Sequence, residues 1–109
     1  MSHLAHFDDA NFEADVLKSK LPVMVDFFAT WCAPCQSLTP IVEELARDYA
    51  GKVTIGKIDV DASSAVPAKY AIMAVPTLIL FKNGKEIEKI TGLLGKAQLR
   101  KKLDALIAA

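Results

Sequence analysis

An α/β fold is predicted for this chain from three observations. The hydrophobic period switches repeatedly between 2 and 3.6 along it. An almost continuous apolar run, 22–29, reads as a strand covered on both faces, and 53–60 reads as a second central strand. Asn83-Gly84, set between two further strand-like segments, is the strongest hairpin signal in the chain. At 109 residues the predicted organisation is a single domain, 1–109, without repeat or linker. A hydrophobic fraction of 52% with zero net charge excludes a disordered chain.

Each element follows from local pattern. Residues 8–19 are expected to be a helix capped by Asp8 or Asp9, with Phe12 and Val16 four apart on one face. A weak strand before residue 8 is also expected. The run 22–29 is a strand interrupted by a single charge, Asp26. Over 34–49, Leu38, Ile41, Val42, Leu45, Ala46 and Tyr49 form one helical stripe. Pro34 suits its first turn, Pro40 removes one of its hydrogen bonds and should kink it, and Gly51 ends it. A strand over 53–60 and a short helix over 63–70 come next. The strand 77–82 turns through Asn83-Gly84 into its antiparallel partner 86–91. Gly92 is expected to mark a bulge or a close backbone approach. A helix over 96–107 is expected to bury Leu99, Leu103, Leu106 and Ile107. This order gives four to five strands and about four helices.

The only two cysteines are Cys32 and Cys35, and Cys32-Ala33-Pro34-Cys35 admits four readings. Haem attachment requires His at position 36, where Gln stands. A zinc site requires four ligands. The only other candidates, His3 and His6, have the wrong spacing and are expected to fray with the N-terminus as surface residues; no metal is expected. A structural disulfide closing so short a loop stabilises by only roughly 2 kcal/mol, against about 4.7 for a loop of about 100 residues. The fourth reading is a redox-active dithiol. The pair follows a buried strand and opens a helix, where residues three apart are neighbours. Cys32 at the helix N-terminus gains thiolate character and attacks a substrate disulfide. Cys35, buried one turn in, then attacks Cys32 and releases the reduced substrate. Pro34 stiffens the loop between them.

Val25-Asp26-Phe27, Ala29-Thr30-Trp31-Cys32-Ala33-Pro34-Cys35, Pro40, Lys57-Ile58-Asp59-Val60-Asp61, Val75-Pro76-Thr77-Leu78 and Phe81-Lys82-Asn83-Gly84 stand in register along essentially the whole chain. In these features the sequence resembles the thioredoxin family, of the reducing type. The resemblance implies a thioredoxin fold, a central mixed sheet with helices on both faces. It implies a protein-disulfide reductase serving redox homeostasis through a mixed disulfide, with no cofactor beyond the Cys32–Cys35 pair. By position, Cys32 and Cys35 match the attacking and resolving thiols. Asp26 matches a buried carboxylate that exchanges a proton with the second thiol, and burial should raise its pKa. Lys57 matches the lysine near that carboxylate. Pro76 matches a cis-proline that exposes the backbone of Val75 to a substrate strand. Trp31, Ala33, Pro34, Ala74, Val75, Gly92 and Leu93 complete the implied substrate-binding rim. The sequence departs from the family pattern at Ala33 (usually Gly), Gln36 (usually a cation), Phe28 (often Trp), Met73, Ala74 and Leu93.

Zero net charge argues against a nucleic-acid partner. Acidic residues near the N-terminus and Lys96, Arg100, Lys101 and Lys102 near the C-terminus read as two solvated helix faces. No apolar run reaches the length of a membrane span. The N-terminus lacks a basic segment followed by an apolar one, so a cytoplasmic location is expected. The expected partners are a thioredoxin reductase as electron donor and proteins carrying disulfides, met by a monomer. A second functional class stays open on sequence: a thioredoxin-fold binding subunit whose thiols are dispensable.

Overall fold

The computed structural model describes residues 3–109. Five strands, β1 (Ala5–Phe7), β2 (Val23–Phe28), β3 (Thr54–Asp59), β4 (Thr77–Lys82) and β5 (Lys85–Thr91), form one mixed sheet in the order β1-β3-β2-β4-β5. β1, β3 and β2 run parallel, whereas β4 is antiparallel to both β2 and β5. The apolar run around Asp26 is therefore the central strand, which explains its lack of alternation. The expected weak first strand is β1. His6 lies in it opposite Lys57, so it is an exposed strand residue and does not fray.

The sheet separates two apolar layers. On one face Met24, Ile55, Leu78 and Leu80 pack against α1 (Ala33–Asp48) and α3 (Lys96–Ala108), through Leu38, Val42, Leu45, Leu99, Leu103 and Leu106. On the other, Val25, Phe27, Ile58, Ile79 and Phe81 pack against Phe12, Val16 and the short α2 (Ala65–Lys69). Alternation along β2 thus assigns Met24, Asp26 and Phe28 to the α1 face.

The helix expected over 8–19 is instead a turn followed by one π-helical stretch, Glu13–Leu17, with the Lys18 N–H donating to the Glu13 carbonyl at 3.0 Å. Asp8 caps this stretch. Asp8 Oδ1 accepts from the Asn11 N–H and Asn11 Oδ1 from the Asp8 N–H, both at 2.8 Å, a reciprocal capping box, and the Phe12 N–H donates to the Asp8 carbonyl at 3.0 Å. Asp9 caps a different helix. Its carboxylate accepts from the N–H groups of Ser64, Ala65 and Val66 at 3.1, 3.0 and 2.9 Å, and these bonds hold its pKa below the usual value.

Asn83 and Gly84 adopt φ +54° and +79°, as a two-residue hairpin turn requires. The bulge of this hairpin is not at Gly92. It lies at Ile87, which is left unpaired between Glu86 opposite Phe81 and Glu88 opposite Leu80. Along α3 the buried stripe is Leu99, Leu103 and Leu106. Ile107, one position further round, remains 40% exposed rather than buried. Three of the basic C-terminal residues form ion pairs at the solvated surface: Lys96 meets Glu44 at 2.8 Å, Arg100 meets Asp48 at 2.8 Å, and Lys102 meets Glu88. The first two pairs tie α3 to α1. No helix among the described residues is long and apolar enough to cross a membrane.

Candidate active site

Parallel pairing of β2 with β3 and antiparallel pairing of β2 with β4 bring three chain segments to one edge of the sheet. Phe28 at the end of β2 lies opposite Asp59 at the end of β3, and Phe27 opposite Thr77 at the start of β4. Open α/β sheets bind ligands beyond the carboxyl ends of their strands. Here the chain leaving β2 runs through Ala29, Thr30 and Trp31 into Cys32, the N-cap of α1. Its backbone is extended (φ −91°, ψ 113°) before the helix begins. Ala33 and Pro34 are exposed in the first turn, where a proline sacrifices no helical hydrogen bond.

Cys32 and Cys35 are joined in a disulfide, with their Cα atoms 5.2 Å apart. Both are covered, at 5% and 2% exposure, so in the oxidised state exposure barely distinguishes them. Their hydrogen bonding does. Cys32 Sγ accepts from the Cys35 N–H at 3.1 Å, and the helix N-terminus adds its partial positive charge. Both interactions strengthen when that sulfur becomes a thiolate. Gln36 brings no charge to the site. Its side-chain amide donates to the Thr30 carbonyl at 3.1 Å and clasps the loop before Trp31.

The facing wall begins at the cis peptide Val75–Pro76. The Val75 carbonyl oxygen lies 3.7 Å from Cys32 Sγ. Pro76 is buried and Val75 half-buried, while Ala74 is exposed and its carbonyl accepts from Thr77 Oγ1 at 2.7 Å. Trp31, Val60, Ile72, Met73, Ala74 and Val75 line a shallow groove of about 180 Å³. Trp31 is 70% exposed, and its indole N–H donates to Asp61 Oδ2 at 2.8 Å. Gly92, at φ +98°, carries a left-handed turn that favours glycine, and its N–H donates to the Pro76 carbonyl at 2.9 Å. No atom crowds its Cβ position, so that turn, rather than close approach, explains the residue. Leu93 is exposed and lies outside the lining of this groove.

Met73, a departure from the family pattern next to Ala74, lines this surface, as do Val60, Ile72 and Asp61, which were not among the sequence candidates. Val60 and Asp61 stood in the motif that carries Lys57, without a role attached to them.

Asp26 lies in the central strand on the face that α1 covers, 1% exposed, with its Oδ1 buried and, among the described residues, without a hydrogen-bond partner. Burial pushes its carboxyl pKa up to about 7, against a smaller opposing pull from Lys57. Lys57 is directly opposite in register on β3, half-buried, with its ammonium 4.0 Å from the centre of the Phe28 ring. Phe28 in turn packs on the cluster of Ala29, Cys32 and Cys35. At neutral pH a carboxyl with a pKa of about 7 is poised between its two protonation states.

The Thioredoxin family model matches residues 3–105. A thioredoxin of Pseudomonas aeruginosa is 45% identical over 105 residues, covering 96% of this chain and 97% of that protein. One of Haemophilus influenzae is 44% identical over 99 residues, covering 91% and 92%. One of Rickettsia bellii is 48% identical over 91 residues, covering 84% and 87%.

Proposed function

This chain belongs to the thioredoxin family, and from that premise we propose how its residues divide the work of a protein-disulfide reductase. The chain is a thiol–disulfide oxidoreductase acting on disulfide-containing proteins, and the redox group is its own cysteine pair. The alternative of a binding subunit with dispensable thiols is not favoured by relatives that carry the name thioredoxin.

In the proposed cycle, the Cys32 thiolate attacks one sulfur of the substrate disulfide and expels the other as a thiolate, forming a mixed disulfide. The Cys35 thiol passes its proton to the Asp26 carboxylate, and its sulfur attacks Cys32 Sγ. The Cys32–Cys35 bond forms as the mixed disulfide breaks, the second substrate sulfur leaves as a thiolate, the two substrate thiolates take one proton returned by Asp26 and one from solvent, and the chain carries away the two-electron oxidation. Asp26 suits this step because a base with a pKa near 7 accepts a proton and returns it at neutral pH. Lys57 would favour the charged form of Asp26. Trp31, Ala33, Pro34, Ala74, Val75, Pro76, Gly92 and Leu93 form the proposed contact surface. The backbone at Val75 would pair with an extended substrate segment, and the apolar groove would grip its side chains without a charged anchor.

The single observation that carries this reading is a disulfide at the N-terminus of α1, with the Val75 carbonyl 3.7 Å from its first sulfur. We further propose a single-domain, monomeric, cytoplasmic carrier re-reduced by a thioredoxin reductase. Dithiothreitol-driven reduction of insulin tests the activity: the wild type should catalyse it and Cys32→Ser should not. Full activity in Cys32→Ser would overturn the assignment.

A further inference from the structure

Lys57 stands directly opposite Asp26 across the β2–β3 pair, yet among the described residues no ion pair joins them, and Asp26 Oδ1 is left without a partner. The ammonium is instead over the ring of Phe28, two residues along on the same face of β2 and hence diagonal to Lys57. Closing the pair would take a half-buried ammonium down to a carboxyl that is 1% exposed, and so strip it of water. The ring face offers that ammonium attraction at the rim, where part of its hydration survives.

We propose that Phe28 is a positioning residue: its ring holds the Lys57 ammonium away from Asp26 and keeps that carboxyl unpaired. The groups on this face are few. β3 contributes Lys57 and, beyond it, Asp59, whose carboxylate is engaged by the Asp61 N–H at 2.9 Å. β4 contributes the apolar Leu78 opposite Asp26. The start of α1 contributes Cys35 and Leu38. Lys57 is therefore the charge whose placement governs Asp26. Because Phe28 also packs on Cys32 and Cys35, one ring supports the sulfur pair and restrains the cation. The catalytic consequence rests on the proposed role of Asp26 as proton acceptor; the positioning itself does not.

The test is a carbon-13 NMR titration of the Asp26 carboxyl in the oxidised protein. Phe28→Leu keeps an apolar side chain but removes the π face. Lys57 is then released towards Asp26, and the midpoint should fall by about one pH unit, a tenfold change in the ionisation constant. Phe28→Trp retains a π face and should not lower the midpoint. In a Lys57→Met background, Phe28→Leu should produce no fall. An unchanged or higher midpoint in Phe28→Leu, or the same fall in the Lys57→Met background, would overturn the proposal. The pH profile of insulin reduction separates the two readings. If the Phe28→Leu profile moves with the midpoint, both stand. If the midpoint moves and the profile does not, the positioning stands and the proton-acceptor role of Asp26 falls.

Discussion

Replacing Asp26 with asparagine should change how stability depends on pH. A carboxyl with an ordinary pKa of 3.8 in the unfolded chain is pushed up to about 7 by burial in the fold. Between those values the folded chain binds more protons than the unfolded one, so wild-type stability falls as pH rises from about 4 and levels off above about 7. Each pKa unit corresponds to about 1.4 kcal/mol, so the ionisable carboxyl costs about 4 kcal/mol of stability once pH exceeds the folded value. The asparagine side chain of Asp26→Asn cannot ionise and escapes that loss. Its buried amide group brings a constant offset of about 1–3 kcal/mol if it finds no partner, and this does not vary with pH. Denaturant unfolding of the oxidised proteins, followed by circular dichroism from about pH 4 to about pH 9, reads the difference. The stability of Asp26→Asn relative to wild type should rise by about 4 kcal/mol across this range. A difference that stays flat would mean that Asp26 ionises in the fold as it does in water, and would refute the reasoning.

Two further outcomes are expected. Trp31 is the only tryptophan and adjoins Cys32, so dithiothreitol should raise its emission by removing a disulfide quencher; unchanged fluorescence would contradict its placement. Asp9→Ala should lower the thermal midpoint at neutral pH, because it removes three hydrogen bonds from the start of α2. Since the folded pKa of Asp9 lies below 3.8, this contribution is present above that value and is lost as pH falls through the folded pKa. The gap between variant and wild type should therefore close in acid, and a gap that persists would contradict the capping role.

What the sequence made legible was local. The α1 stripe, the buried run of β2 and the Asn83-Gly84 turn each depend on neighbours within a few residues, and all three stand in the structure as read. The misreadings depend on distant partners. Of the two cap candidates for the first turn, Asp8 fills the role locally, whereas the Asp9 carboxylate has its hydrogen-bond partners 55 to 57 residues away. Ile107 continues the helical stripe by spacing, yet α3 turns it past the edge of the contact with the sheet. Ile87 is left out of the ladder by a register shift that alternation does not reveal. The site divides in the same way. The cysteine pair and its helix were visible in one stretch of sequence. The groove draws on three separated segments, so Ile72, Val60 and Asp61 took their place in it only when the sheet brought them beside Trp31. A lone charge in an apolar run pointed to Asp26, whereas position in the family pattern alone suggested a role for Lys57. That Lys57 rests on Phe28 and leaves Asp26 unpaired needed coordinates.

The account turns on Cys32 as the attacking sulfur and Cys35 as the resolving one. The most direct measurement is mass spectrometry of single-cysteine variants, reduced and then mixed with a disulfide-containing protein such as insulin. Cys35→Ser should accumulate a covalent adduct through Cys32, because nothing remains to resolve it, and dithiothreitol should release the partner. Cys32→Ser should accumulate little. Adducts forming equally well through Cys35 in Cys32→Ser, or no adduct in Cys35→Ser, would contradict the account.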